Sequence, residues 1–234
     1  MDLRKKFVLA VLVGVTTFSA VTAQPSGYPK VNGPIKAGAS VFDDHSYNYD
    51  YLVLGKIYKD ITKDERVMEA LELMKGTLGD FSRNAILGDN LTAKKMKIEF
   101  KDLGQLNPSY KNFDALGWKR SGKLTIYINQ KHSDAPPEAL AALLSHEALH
   151  QDELDSLNEE TYAWTLEAAV WSQLVEKRPA AGNKNHPLVF RENTLKQLFE
   201  KGGYTDKYIK KAVFSNPGYN NLPVRSPGYE DENL

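Results

Sequence analysis

The stretch Ser145-His146-Glu147-Ala148-Leu149-His150 decides how the rest of the chain is read. His146 and His150 are four residues apart, so a helix projects them from one face about one turn apart. Two imidazoles at that separation can close on one divalent cation. Glu147 is turned roughly 100° from His146, which stands it beside such an ion without ligating it. The pattern is H-E-x-x-H, whose mechanics are two metal ligands and a general base.

Upstream, Asp134-Ala135-Pro136-Pro137-Glu138 opens a helix, with Pro tolerated in the first turn and Glu at the positive end of the dipole. Ala139 to Leu144 is apolar nearly all round, which predicts a helix buried until it reaches His146. Before it, Met96 to Phe100, Ala115 to Lys119 and Lys123 to Asn129 read as strands. In the last, Leu124, Ile126 and Ile128 alternate with Thr125, Tyr127 and Asn129, and Arg120-Ser121-Gly122 suits a hairpin turn. Thr62 to Leu78 reads as an amphipathic helix opened by the capping box Thr62-Lys63-Asp64-Glu65. Tyr51 to Tyr58 reads as a short helix or strand, and Gly88-Asp89-Asn90 as a turn.

Downstream, Ser156-Leu157-Asn158-Glu159 is another capping box, opening a helix over Leu157 to Leu174 with Ala163, Leu166, Val170 and Leu174 on its core face. Trp164 and Trp171 are read as core. Lys177 to Pro187 is a polar linker. Leu188 to Lys201 and Thr205 to Phe214 are two shorter helices split by Gly202-Gly203. The tail, with Pro217-Gly218-Tyr219 and Pro227-Gly228-Tyr229, is expected to run over the surface or stay disordered. From His132 to Glu176 there is no Lys or Arg against ten Asp or Glu, most of them expected on a solvated face.

Composition narrows the chemistry. The 234 residues carry 30 basic and 30 acidic side chains, so no global charge points to nucleic acid or a membrane surface. With no cysteine, disulfides, thiolate metal sites and thiol nucleophiles are excluded, and any metal must be held by His, Asp or Glu. Met1 to Lys6 is basic and Phe7 to Val21 apolar but short for a membrane span, with Val21 and Ala23 placed for cleavage before Gln24. That reads as a secretory signal peptide over residues 1–23, and the mature protein is expected to be secreted or periplasmic without stable membrane insertion.

The order helix, strands, hairpin, buried helix carrying H-E-x-x-H resembles the minimal domain of the zincin metallopeptidases. The resemblance implies an α+β fold, with a small mixed sheet packed on the active-site helix and a helical C-terminal part after it. On that basis residues 24–61 form an N-terminal extension, 62–176 the catalytic domain, and 177–234 the helical C-terminal region and tail. It also implies one zinc ion (Zn2+) per chain, three protein ligands and a position left for water. Glu153 and Ser156 stand where the metzincin extension carries Gly and His, so the gluzincin arrangement, with a downstream Glu, is the closer match. Glu160 is favoured as that ligand, since its Glu-x-x-Ala spacing is similar to the second metal-binding helix of gluzincins. Glu159, which the capping box can occupy, and Asp155 are the alternatives. Glu167 or a backbone carbonyl would orient the imidazoles.

By the same resemblance, Glu147 is the base for a zinc-bound water attacking a peptide bond. The strand Leu124 to Asn129 would pair with the extended substrate. His132, Tyr162, His186 and Tyr204 are candidates for stabilising the oxyanion. A zinc hydrolase of a non-protein amide such as cell-wall peptide, and a secreted binding protein with a silent motif, are the alternative readings.

Overall fold

The buried run Ala139 to Leu144 sets the architecture, because a helix apolar on all sides needs neighbours on all sides. The computed structural model describes residues 49–88, 94–120, 123–150 and 155–226. The expected signal peptide, most of the N-terminal extension, the Asp89-Asn90 part of the turn, and Pro227-Gly228-Tyr229 lie outside the described residues. The elements are α1 (Tyr51–Ile57), α2 (Glu65–Leu73), α3 (Asp80–Leu87), β1 (Lys97–Lys101) and α4 (Leu103–Leu106). There follow β2 (Ala115–Arg120), β3 (Lys123–Asn129), α5 (Pro137–Glu147), α6 (Leu157–Lys177), α7 (Pro187–Lys201) and α8 (Lys207–Phe214). The protein is mixed α+β, mostly helical, with one small sheet of three strands.

Helix α5 is surrounded by α2, α3, α6 and α7, with β2 against its end. Ala139 through Leu144 are all fully buried in one cluster with Val67, Leu71 and Met74 of the α2 region and Val170 and Trp171 of α6. The sheet runs β1-β3-β2, with β1 parallel and β2 antiparallel to β3. Ile126 and Ile128 of β3 point into the core as the alternation predicts. Since β3 is central, both its edges are already paired, and it is not the strand that can accept an extended peptide. The outer strand beside α5 is β2, with Gly117 opposite Ile126.

Three other expectations need correcting. The helix predicted over Thr62 to Leu78 is shorter: α2 runs only from Glu65 to Leu73, and α3 begins at Asp80, beyond the predicted span. Asp64, not Thr62, caps α2 by accepting from the Arg66 and Val67 amides, and the Thr62 hydroxyl accepts from Asp64 N–H instead. The chain turns at Gly76, whose φ of +67° favours glycine, and α3 follows. Gly88 closes α3 at φ +78°, where an added Cβ would lie 2.8 Å from the Lys94 carbonyl carbon. Sequence periodicity carried α2 too far because Leu78 fits the spacing, yet its side chain is exposed.

Helix α5 ends at Glu147, so His150 is not on the helix that carries His146. Leu149 N–H donates to His146 O, a tighter pattern than the α-helix makes, and the chain then leaves toward α6. The Ser145 carbonyl, one of the last in the helix, is satisfied by the Ser82 hydroxyl of α3 at 2.7 Å.

The tail does not merely run over the surface. Leu157 and Asn158, at the start of α6, donate their amides to Pro223 O (2.9 Å) and Val224 O (3.1 Å). These are amides that a helix start leaves without partners. Tyr219 is buried with Trp164, Leu195, Phe199, Ile209 and Val213 in a second core under α8. Among the described residues no helix is long and apolar enough to cross a membrane.

Candidate metal centre

The last turn of α5 and the first turns of α6 face one another. His146 and Glu147 come from α5, His150 from the turn after it, and Glu159 and Glu160 from the start of α6, whose N-terminus is fixed by Ser156 Oγ accepting from Glu159 N–H at 3.1 Å. Glu159 therefore completes only half of the expected capping box, and its carboxylate is free for other work. His146, Glu147 and Glu160 are fully buried and His150 is 3% exposed.

Ligand atoms of His146, His150 and Glu160 lie within 4.8 Å of one another. His146 Nε2 is 3.8 Å from Glu160 Oε2, and His150 Nε2 is 3.9 Å from Glu160 Oε1. The imidazole centroids are 5.0 Å apart. Of the three carboxylates considered for the third position, Glu160 sits between the two Nε2 atoms. Glu159 instead meets the far side of His150, its Oε1 2.9 Å from Nδ1. Asp155 groups with His150 and Glu159 on that same side.

His146 Nδ1 is likewise 3.1 Å from Glu167 Oε2. An ionised carboxylate can only accept, so each Nδ1 carries the proton and each Nε2 presents a lone pair toward Glu160. This is the carboxylate–histidine arrangement that fixes the tautomer of a metal-ligating imidazole.

Several buried polar atoms without hydrogen-bond partners gather here: His146 Nε2, His150 Nε2, both oxygens of Glu160 and both of Glu147. Buried polar groups are ordinarily satisfied, and leaving several orphaned together is costly. Two imidazole nitrogens and one carboxylate are a donor set that suits zinc. Burial pushes Glu147 up to about 8 and Glu160 up to about 7. Burial pulls His146 down to about 4. Burial also opposes charging His150, but Glu160, Glu159 and Glu147 outweigh it and raise that imidazole to about 9. A proton and a divalent cation thus compete for the same lone pair.

Of the acidic residues from His132 to Glu176, Glu138, Glu147, Glu159, Glu160 and Glu167 are buried, contrary to the expectation of a mainly solvated face. Glu147, Glu159, Glu160 and Glu167 are buried where the end of α5, α6 and α7 pack together, and Glu138 at the start of α5. Arg191 of α7, absent from the sequence-based reading, makes this tolerable for Glu167: its Nη2 donates to Glu167 Oε2 at 2.9 Å and its Nη1 to Glu167 Oε1. Arg191 Nη1 also donates to Glu192 at 2.7 Å, and Nε lies 3.4 Å from Asp114 Oδ2. Burial pushes Glu167 up, yet Arg191 and His146 hold it down at about 2. Arg191 and Glu192 fall on the spacing of Leu188, Leu195 and Phe199, so their place on an apolar stripe was the available signal.

The four candidates for the oxyanion are placed elsewhere. Tyr162 and Tyr204 are exposed. His132 Nε2 pairs with Asp114 Oδ1 at 2.7 Å. His186 caps α7, its Nδ1 accepting from Leu188 N–H at 3.1 Å, while Nε2 faces Asp134. Two groups with no sequence signal do reach the site. A Cβ on Gly117 of β2 would lie 3.8 Å from Glu147 Oε2, so the bare strand passes directly over that carboxylate. The Tyr219 hydroxyl faces Glu160 without reaching hydrogen-bonding geometry. No family model matches this chain, and neither a curated protein nor a solved structure does.

Proposed function

We propose that this chain is an exported zinc metallopeptidase of gluzincin type, with His146, His150 and Glu160 as metal ligands and Glu147 as the base. One observation carries the reading. Among the buried atoms left without hydrogen-bond partners, the two Nε2 atoms and the Glu160 carboxylate are gathered within 4.8 Å, with the unpartnered Glu147 carboxylate beside them. A silent motif would have no reason to fix both imidazole tautomers from behind with Glu167 and Glu159.

Zinc in that set supplies positive charge to polarise a carbonyl and lowers the pKa of a water to about 7. The remaining work falls to the chain. Glu147, with both oxygens unengaged, takes the proton of the attacking water and delivers it to the leaving amine. Burial favours its protonated form, which suits the second of those transfers. The outer edge of β2, passing Glu147 at Gly117, offers backbone groups to an extended peptide, the role first expected of β3.

Replacing Glu147 with Gln removes the base and leaves the ligands. The expected outcome is one zinc per chain retained, with hydrolysis of a mixed peptide library reduced on the order of 10²- to 10⁴-fold. Undiminished hydrolysis in that variant would remove Glu147 from the mechanism.

A further inference from the structure

Each histidine of the proposed ligand set is steadied through its Nδ1, His146 by Glu167 and His150 by Glu159. Glu160 lacks a carboxylate or backbone support of this kind. The group facing it is the hydroxyl of Tyr219, from the short 3-10 turn Pro217–Tyr219 near the end of the described chain. Tyr219 is itself held. Trp164 Nε1 donates to its oxygen at 3.2 Å, and the two rings meet edge to face at 6.1 Å. An indole N–H can only donate, so the tyrosine oxygen is the acceptor in that bond and keeps its own proton to give. Glu160 is an acceptor with both oxygens free.

The segment bearing Tyr219 is fastened to the helix bearing Glu160. Pro223 and Val224 accept the Leu157 and Asn158 amides of α6, two and three residues before Glu160. Asn216 fixes the turn by accepting from Gly218 N–H at 2.9 Å.

We propose that Tyr219 is the positioning residue of Glu160, the third support of the metal centre. The C-terminal segment 216–226 and the cation then bind the protein cooperatively. Linkage requires the effect to be mutual: the docked segment tightens the metal, and the metal tightens the segment. The proposal rests on the metal reading above and adds a part of the chain that no motif marks.

Two variants of the full chain test it. Tyr219→Phe keeps the ring against Trp164 and removes only the hydroxyl. Leu157→Pro, at the first helical position where proline is tolerated, removes the anchoring amide and touches no site residue. Zinc affinity is measured by competition with a chromogenic chelator. Amide exchange of residues 219–224 and of Asn158 is followed with and without zinc. The expected result is zinc affinity about 10-fold weaker in Tyr219→Phe, in the range of other supports of metal ligands, over and above the lower metal-free stability that loss of the Trp164 hydrogen bond brings. Leu157→Pro should weaken zinc in the same direction, and zinc should slow exchange in the tail of the parent protein but much less in Tyr219→Phe. Should Tyr219→Phe fail to fold, Leu157→Pro decides. Zinc bound by the parent and as tightly by the variants, with tail exchange indifferent to metal, overturns the role of Tyr219 alone. A parent protein that takes up no zinc overturns the metal reading and this inference with it.

Discussion

Two buried acidic clusters meet at Glu167, and each must find positive charge. Around α7, Asp114, Glu167 and Glu192 surround Arg191, a cation the chain carries covalently. Burial and the nearby Glu167 push Glu192 above the usual carboxylate range, against the pull of Arg191. Between α5 and α6, Glu147 and Glu160 are as deeply buried, yet among the described residues no Lys or Arg forms an ion pair with either. Their oxygens lack partners, and so do the facing Nε2 atoms. The first cluster carries its own guanidinium, which hydrogen-bonds Glu167 and Glu192, though Asp114 Oδ2, Arg191 Nε and Glu192 Oε2 stay without a hydrogen bond. On the proposed reading the second takes its cation from outside, which is how a binding site would differ from a structural ion-pair network of similar composition.

The largest effect should come from removing the covalent cation. Arg191→Met leaves Asp114 and Glu167 buried without their partner, and should cost about 3–5 kcal/mol in urea unfolding. A loss below about 1 kcal/mol would mean the cluster is no better satisfied than its neighbour. The non-covalent cation should act in the same sense but through mass action. Zinc at about 100 times its Kd should raise unfolding free energy by about 2.7 kcal/mol in the parent protein and not in Glu160→Ala. Stabilisation of both proteins alike would place the ion elsewhere.

How much of this contrast the sequence disclosed follows from where each residue sits. His146, Glu147 and His150 lie in one motif, and Glu160 ten residues beyond His150 is within reach of helix-start reasoning. The strands and α5 to α8 were legible because alternation, glycines and capping residues are local signals. Glu167 was in view as a support for an imidazole, but its partner Arg191 is 24 residues away, and its only local sign was a place on the apolar stripe of α7. Gly117 and Tyr219 owe their places to strand order and to a Pro-Gly turn, neither of which has a period to read. The early end of α5 was hidden for another reason: its sequence continues apolar through Ala148 and Leu149, with no Gly or Pro to mark the end at Glu147.

A smaller effect separates the clusters in acid. Burial pushes Asp114 up, but the His132 hydrogen bond and the Arg191 and Lys131 charges hold it at about 2, below its ordinary 3.8. A depressed carboxylate contributes stability that is complete above about pH 4 and is lost as pH falls toward 2. That share is on the order of 2 kcal/mol, and Asp114→Asn should flatten this part of the acid limb in thermal melts. An unchanged slope would show that Asp114 is not held by the network.

Zinc content of the purified, full-length protein bears most directly on the missing cation. One zinc per chain is expected in the parent and in Glu147→Gln, and little or none in Glu160→Ala. A parent protein free of zinc after exposure to the metal, or a Glu160→Ala variant that keeps its zinc, would contradict it.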